Sequence, residues 1–260
     1  MESKMIVKVL ASGSEANCVY VSNGTYNILI DIGIQPTKAG KVLADNDINP
    51  ADLKGVFITH EHKDHVQGLS LANKYKIPVY SMSETIRAIT QHEKTPRKID
   101  HPHELPRIGG VTWGLGSKDH MTVRAFKVHH DAFDPVGYTI ESGIHKVSVL
   151  MDTGKVTEEM IRSMAGSTVY VFECNHDKTM LIKGKYEPSV KQRILSDNGH
   201  LSNQAAATAL ARLVTGKGEQ IYLSHMSSNN NDPDKARAAV RAALREKGLV
   251  ANKHYKLGVV

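Results

Sequence analysis

The sequence predicts a mixed α/β (α+β) fold in four layers, with two β-sheets face to face and helices on the outside. Two observations lead there. Short apolar runs with strand character gather into two groups, and each group is followed by amphipathic helical stretches. No Pro/Gly/Ser linker, repeat or low-complexity segment divides the 260 residues, so a single domain over residues 1–260 is expected. A doubly wound parallel sheet is the second architecture compatible with this order of elements.

In the first group, residues 5–10, 18–21 and 26–30 are β-branched or apolar runs separated by turn chemistry such as Asn23-Gly24, and read as strands. Residues 36–44 read as a helix and 55–59 as a short buried strand. A helix over 66–74, a strand over 79–81 and a helix over 84–90 follow. Residues 91–107 carry three prolines and three histidines and read as a loop. The second group has strands over 111–115, 121–128, 137–140 and 146–151. A helix over 157–164 takes Thr157 as N-cap, and a strand over 168–173 succeeds it. Helices over 202–214 and 232–245 flank a strand over 220–224, and 255–260 reads as a last strand.

The composition is that of an ordinary globular chain, with 40% hydrophobic and 23% charged residues. Two cysteines, Cys18 and Cys174, do not make a disulfide framework, which points to a reducing, cytoplasmic setting. No signal peptide and no membrane span are expected, because no apolar run reaches the roughly 18 residues a span requires. A net charge of +6 favours polyanionic partners such as nucleic acid. Fourteen histidines are an excess, and they matter because several cluster with carboxylates.

The densest cluster is Thr59-His60-Glu61-His62-Lys63-Asp64-His65, directly after the strand at 55–59. Alternation along an extended chain puts His60 and His62 on one side. A helical turn then lets Asp64 and His65 face the same point. Three imidazoles and a carboxylate within six residues suit Zn²⁺, and equally Mn²⁺ or Fe²⁺.

This HxHxDH segment resembles the signature of the metallo-β-lactamase superfamily. The likeness extends to Ala11-Ser12-Gly13-Ser14, Leu29-Ile30-Asp31-Ile32-Gly33, His130-Asp131-Ala132-Phe133-Asp134-Pro135-Val136-Gly137-Tyr138 and Leu150-Met151-Asp152-Thr153-Gly154. Glu173-Cys174-Asn175-His176-Asp177, Gly199-His200-Leu201-Ser202-Asn203 and Leu223-Ser224-His225-Met226-Ser227 continue it. In order and number these motifs resemble the YycJ/WalJ-type exonuclease branch.

The resemblance implies the four-layer αββα metallo-β-lactamase sandwich and a site for two divalent metal ions, Zn or Mn, with Fe as a third option. One ion would take His60, His62 and His130; the other, Asp64, His65 and His225; Asp152 would bridge them. His130 is preferred over its neighbour His129 because the family pattern places the ligand just before Asp-Ala, and adjacent strand residues point to opposite faces. Asp31 is expected to orient the HxHxDH loop by hydrogen bonding without ligating. His176 and His200 are catalytic candidates for protonating a leaving group, with Asp64 orienting the attacking water. His92, His101 and His103 resemble no family ligand. Residues 228–233 read as a structural loop leading into a helix capped by Asp232.

The expected reaction is phosphodiester hydrolysis, and the expected substrate is DNA, degraded from the 5′ end toward the 3′ end. The seven-ligand set, the basic charge and the exonuclease branch favour it. The interval from Asp152 to His225 leaves no room for a β-CASP domain, and no long exosite arm is visible. Two other readings remain: a phosphodiesterase acting on small substrates such as cyclic nucleotides, or another hydrolase of the fold, and a regulatory protein that uses the same site only to bind a ligand. Oligomeric state is not legible.

Overall fold

A computed structural model of the chain describes residues 5–92 and 97–260. It divides into two compact units, Met1–Ala125 with Ala132–His145, and Phe126–Asp131 with Lys146–Val260. Part of the polar segment at 91–107 therefore lies outside the described residues.

The first unit holds a six-stranded sheet in the order β1 (Ile6–Ala11), β2 (Cys18–Ser22), β3 (Asn27–Ile30), β4 (Leu53–Phe57), β5 (Val79–Ser81), β6 (Pro102–Glu104). The first three strands are antiparallel, as their short connections allow, and β3 to β6 run parallel. The parallel crossovers carry helices α1 (Pro36–Ala44), α2 (Lys63–Val66), α3 (Leu69–Lys74) and α4 (Ser83–Thr90). Leu29, Ile32, Leu43, Val56, Ile58, Leu69 and Ala72 are among the residues of the core beneath them. Strands β7 (Val111–Trp113), β8 (Met121–Lys127) and β9 (Val136–Ser142) follow. An aromatic group binds them to the first sheet: Phe57 stacks on Tyr80 at 4.7 Å and meets the edge of Tyr138 at 5.6 Å and of Trp113 at 5.9 Å. The Tyr138 hydroxyl donates to the Ile58 carbonyl at 2.6 Å, which pins the chain just before the histidine cluster.

In the second unit, β10 (His145–Leu150), β11 (Val169–Glu173), β12 (Glu219–Ser224) and β13 (Tyr255–Val259) pair in parallel. Helices α5 (Glu158–Met164), α6 (Lys178–Lys183), α7 (Pro188–Leu195), α8 (Asn203–Leu213) and α9 (Pro233–Glu246) connect them. Helix α9 buries Ala236, Val240 and Leu244, a four-residue spacing that makes one apolar stripe. These side chains join Leu210 and Leu213 of α8 and Met160 and Met164 of α5 in a core with Tyr170, Phe172 and Leu223. The caps are local: Thr157, Ser202 and Asp232 each accept a backbone N–H from the first turn.

The antiparallel pairs β1–β2, β2–β3 and β7–β8 exclude the doubly wound parallel alternative. Four local expectations also change. The segment at 91–107 contains β6, paired to β5. The strand expected over 111–115 ends at Trp113. The helix expected over 66–74 is broken at Gln67-Gly68, because Gly68 lies so close to the Ile32 and Ile34 carbonyls that a Cβ there would sit 2.7 and 2.6 Å from them. Helices α6 and α7 have no counterpart among the expected elements: α6 buries only Leu181 and α7 buries nothing, so neither writes an apolar period into the sequence. Among the described residues no helix is long and apolar enough to cross a membrane.

Gly40 tests the helical reading of α1. A Cβ at this position would meet only Leu71 Cδ1, at 3.9 Å. Gly40→Ala is therefore expected to raise stability by about 0.5–1 kcal/mol, by reducing the freedom of the unfolded chain. Urea denaturation checks it; a lowered midpoint would contradict the helical geometry.

Candidate metal centre

In the first unit the chain leaves β4 extended and turns at His62, which stands at the N-cap of α2. The turn brings the imidazoles together: the ring centroids of His60 and His62 are 4.5 Å apart, and those of His60 and His65 4.1 Å. Asp64 Oδ2 is 3.2 Å from His65 Nε2. His60 and His65 are buried, whereas His62 and Asp64 are half-exposed.

Asp31, at the end of β3, fixes this turn. Its Oδ1 accepts from Thr59 N at 2.8 Å, and its Oδ2 accepts from Thr59 Oγ1 at 2.9 Å and faces His65 Nδ1 at 2.7 Å. Thr59 Oγ1 also lies 3.0 Å from His60 Nδ1. With both Nδ1 atoms engaged in this way, Nε2 is the atom each imidazole offers to a cation, an outer-layer arrangement typical of metal-binding histidines. Burial pushes the Asp31 carboxyl upward, and His65 and Thr59 only partly oppose it. Asn17 adds a contact with no counterpart in the sequence reading: its Nδ2 donates to Asp64 Oδ2 at 3.0 Å and lies 3.2 Å from His65 Nε2.

In the second unit Asp152, Glu173, His200 and His225 each bring one ligand atom within 4.8 Å of the others. Asp152 Oδ1 is 3.3 Å from His200 Nδ1, 3.4 Å from His225 Nδ1 and 4.0 Å from His130 Nε2. His130 is buried and its neighbour His129 half-buried. Glu173 opens one of the family-like motifs, but in the sequence it looks like any glutamate closing an apolar strand. It is fully buried, and its Oε2 accepts from Thr153 N at 3.0 Å and Leu201 N at 3.2 Å. Its Oε1 faces His200 Nδ1 at 2.7 Å and His225 Nδ1 at 3.3 Å. Burial pushes this carboxyl up, but the two histidines outweigh that and hold it below the usual range.

His176 is not among these four donors. It is buried, and burial, more than any neighbouring charge, pushes its pKa down to about 4, which keeps its imidazole neutral at neutral pH. His103 is exposed and stacks on Tyr80 at 4.9 Å. The loop at 228–233 has a structural anchor in Asn231, whose Nδ2 donates to the Cys174 carbonyl and to Asn203 Oδ1.

Three of the site residues are strained in the same way. Asp31, Asp152 and His225 have φ of 58°, 51° and 53°, the left-handed region that side chains other than glycine seldom occupy. Each follows a strand end, where a left-handed residue bends the chain out of the sheet. Strain of this kind costs of order 1–3 kcal/mol per residue and collects at functional sites. The donors are imidazole nitrogens and carboxylate oxygens. Neither cysteine contributes: both thiols are buried, and burial pushes that of Cys174 up to about 12. Such a set fits a divalent ion of the Zn, Mn or Fe type.

Residues 26–226 match the sequence profile of the beta-lactamase superfamily domain. The chain is 36% identical over 254 residues to the exodeoxyribonuclease YycJ of Bacillus anthracis, covering 96% of this chain and 92% of that protein. It is 34% identical over 250 residues to the exodeoxyribonuclease WalJ of Streptococcus pneumoniae serotype 2, covering 96% and 91%. Among solved structures, the metallo-beta-lactamase fold protein YhfI from Bacillus subtilis superposes with a TM-score of 0.72 over 98% of this chain and 96% of that one, at 18% identity.

Proposed function

The chain belongs to the beta-lactamase superfamily, and we propose that it is a metal-dependent exodeoxyribonuclease that degrades DNA from the 5′ end. The single observation that carries this reading is the likeness to exodeoxyribonucleases over 96% of the chain. The same coverage supports reading residues 1–260 as one metallo-β-lactamase-fold domain. We assign His60, His62, His130, Asp64, His65, His225 and Asp152 as ligands of two divalent ions, Zn²⁺ or Mn²⁺, with Fe²⁺ as the third option. The Asp31–His65 and Glu173–His225 contacts support that assignment, because each engages Nδ1 and so makes Nε2 the ligand atom. The protein is assigned to the cytoplasm on its two reduced cysteines.

When bound, the two ions supply an activated water and offset charge on the scissile phosphate. The protein's own groups do the rest. Asp64 and Asp152 orient the attacking water by accepting its hydrogen bonds. His200, held through Nδ1 by Glu173, presents Nε2 to the leaving 3′ oxygen and delivers a proton as the P–O bond breaks. His176, the other candidate for this role, is buried and neutral, so the acid role is assigned to His200. The net charge of +6 favours retention of a polyanion.

Incubation with Mn²⁺ or Zn²⁺ and 5′-labelled duplex DNA, beside a panel of cyclic nucleotides, tests the reading. Release of labelled nucleotide from DNA is expected. Turnover of cyclic nucleotides alone would replace the exonuclease by a small-substrate phosphodiesterase. Binding without turnover of either would point to a regulatory protein. His62→Ala is expected to lose bound metal and at least about 99% of the activity; retained activity would overturn the ligand set.

A further inference from the structure

Four phenylalanines occur in the chain. Phe57, Phe126 and Phe172 are buried, but Phe133 is 72% exposed. Single exposed apolar side chains are ordinary, and Ile108, Leu115 and Ile144 are exposed as well; what sets Phe133 apart is that its ring is aromatic and its backbone is fastened. Its loop is not loose. The Phe133 N–H donates to the Glu61 carboxylate, at 3.2 Å to Oε1 and 3.4 Å to Oε2. The Asp134 carbonyl accepts from Thr85 Oγ1 at 3.3 Å, and the Asp134 carboxylate pairs with Arg107 at 3.5 Å. Val136 N donates to the Thr59 carbonyl at 3.1 Å. Glu61 is the residue between His60 and His62, so the ring is presented from a loop fastened to the histidine turn itself.

We propose that Phe133 is a stacking platform for a base at the end of a DNA strand, holding the terminal nucleotide beside the His60–His62 turn. The inference rests on DNA being the substrate. A flat, exposed ring on an anchored loop suits a nucleobase because every base has a π-face, which gives affinity without sequence preference, as an exonuclease needs. The neighbouring Arg107, 75% exposed, adds a cation within reach of the strand's phosphates.

The test measures binding of the full-length, metal-loaded protein to a 3′-fluorescein single-stranded oligonucleotide with non-hydrolysable terminal linkages, by anisotropy. A second oligonucleotide lacks its two 5′ bases. Removing one stack is worth roughly 5- to 150-fold in affinity. Phe133→Ala is expected to weaken binding of the intact strand by about tenfold or more. Removing the terminal bases is expected to weaken wild-type binding by a similar factor and to cost F133A nothing further, the non-additivity of two groups in contact. Phe133→Trp is expected to restore affinity for the intact strand. An unchanged thermal midpoint for F133A is expected of a surface change. Wild-type affinity in F133A, or equal losses on both oligonucleotides, would overturn the proposal. A wild-type protein that releases no nucleotide yet shows the coupling would sink the exonuclease reading and leave the stacking role standing.

Discussion

Glu173→Gln is expected to lower divalent-metal affinity by about 10- to 100-fold and nuclease turnover by at least about 100-fold, with little change in stability. The carboxylate serves two sets of partners. Oε2 accepts from the Thr153 and Leu201 backbone N–H groups, and Oε1 faces Nδ1 of His200 and His225. In a glutamine the carbonyl oxygen must stay with the backbone donors, so the amide NH₂ falls opposite the two Nδ1 atoms. Each imidazole can then meet the amide only by turning Nδ1 into an acceptor, which moves its proton to Nε2. In His225 that blocks the proposed ligand atom. In His200 it removes the carboxylate that holds the ring through Nδ1. Glu173→Ala is a different injury, because it strands two buried N–H groups at about 1–3 kcal/mol each. Metal titration of apoprotein and a single-turnover assay on labelled DNA separate the two. Wild-type metal affinity in Glu173→Gln would show that Glu173 does not set the tautomer of a ligand.

The contrast between Glu173 and His60 explains what could be read in advance. His60, His62, Asp64 and His65 are contiguous and follow a strand, so their convergence is a property of local geometry. Glu173 reaches His200 and His225 across 27 and 52 residues, and a glutamate closing an apolar strand looks like any strand end. Asn17 meets Asp64 across 47 residues for the same reason. The left-handed turns at Asp31, Asp152 and His225 also left no trace, because glycine is the usual signal for that conformation and none of the three is glycine. Most strands matched because burial on both faces writes a short continuous apolar run into the sequence, and the long helices because one buried face writes period 3.6. β6 is exposed along its whole length, as α7 is nearly so, and without a buried face there was no period to read.

Gly33→Ala is expected to destabilise the protein by at least about 3 kcal/mol, lowering its thermal midpoint by roughly 6–12 °C, and to weaken metal binding at the same time. A Cβ on Gly33 would stand 1.6 Å from the Asp64 carbonyl oxygen and 2.7 Å from Asn17 N. No side chain can swing aside to relieve contacts with backbone atoms. They are also the atoms that tie the histidine turn to its neighbours: Asn17 N donates to the Asp64 carbonyl at 2.8 Å, Gly33 N donates to the Asn17 carbonyl at 2.8 Å, and Ile32 N donates to the His65 carbonyl at 2.9 Å. Moving Asp64 far enough to admit a methyl group breaks at least the first of these and shifts two adjacent donors, Asp64 and His65. The backbone of Gly33 lies outside the left-handed region, so an alanine there carries no conformational penalty of its own and the loss isolates the close approach. Calorimetry of the metal-free and metal-loaded forms checks both halves. A normal midpoint would mean that the 29–33 segment does not brace the turn. A lowered midpoint with unchanged metal affinity would mean that the ligands hold their geometry without it, and that the proximity of Gly33 to Asp64 serves packing alone.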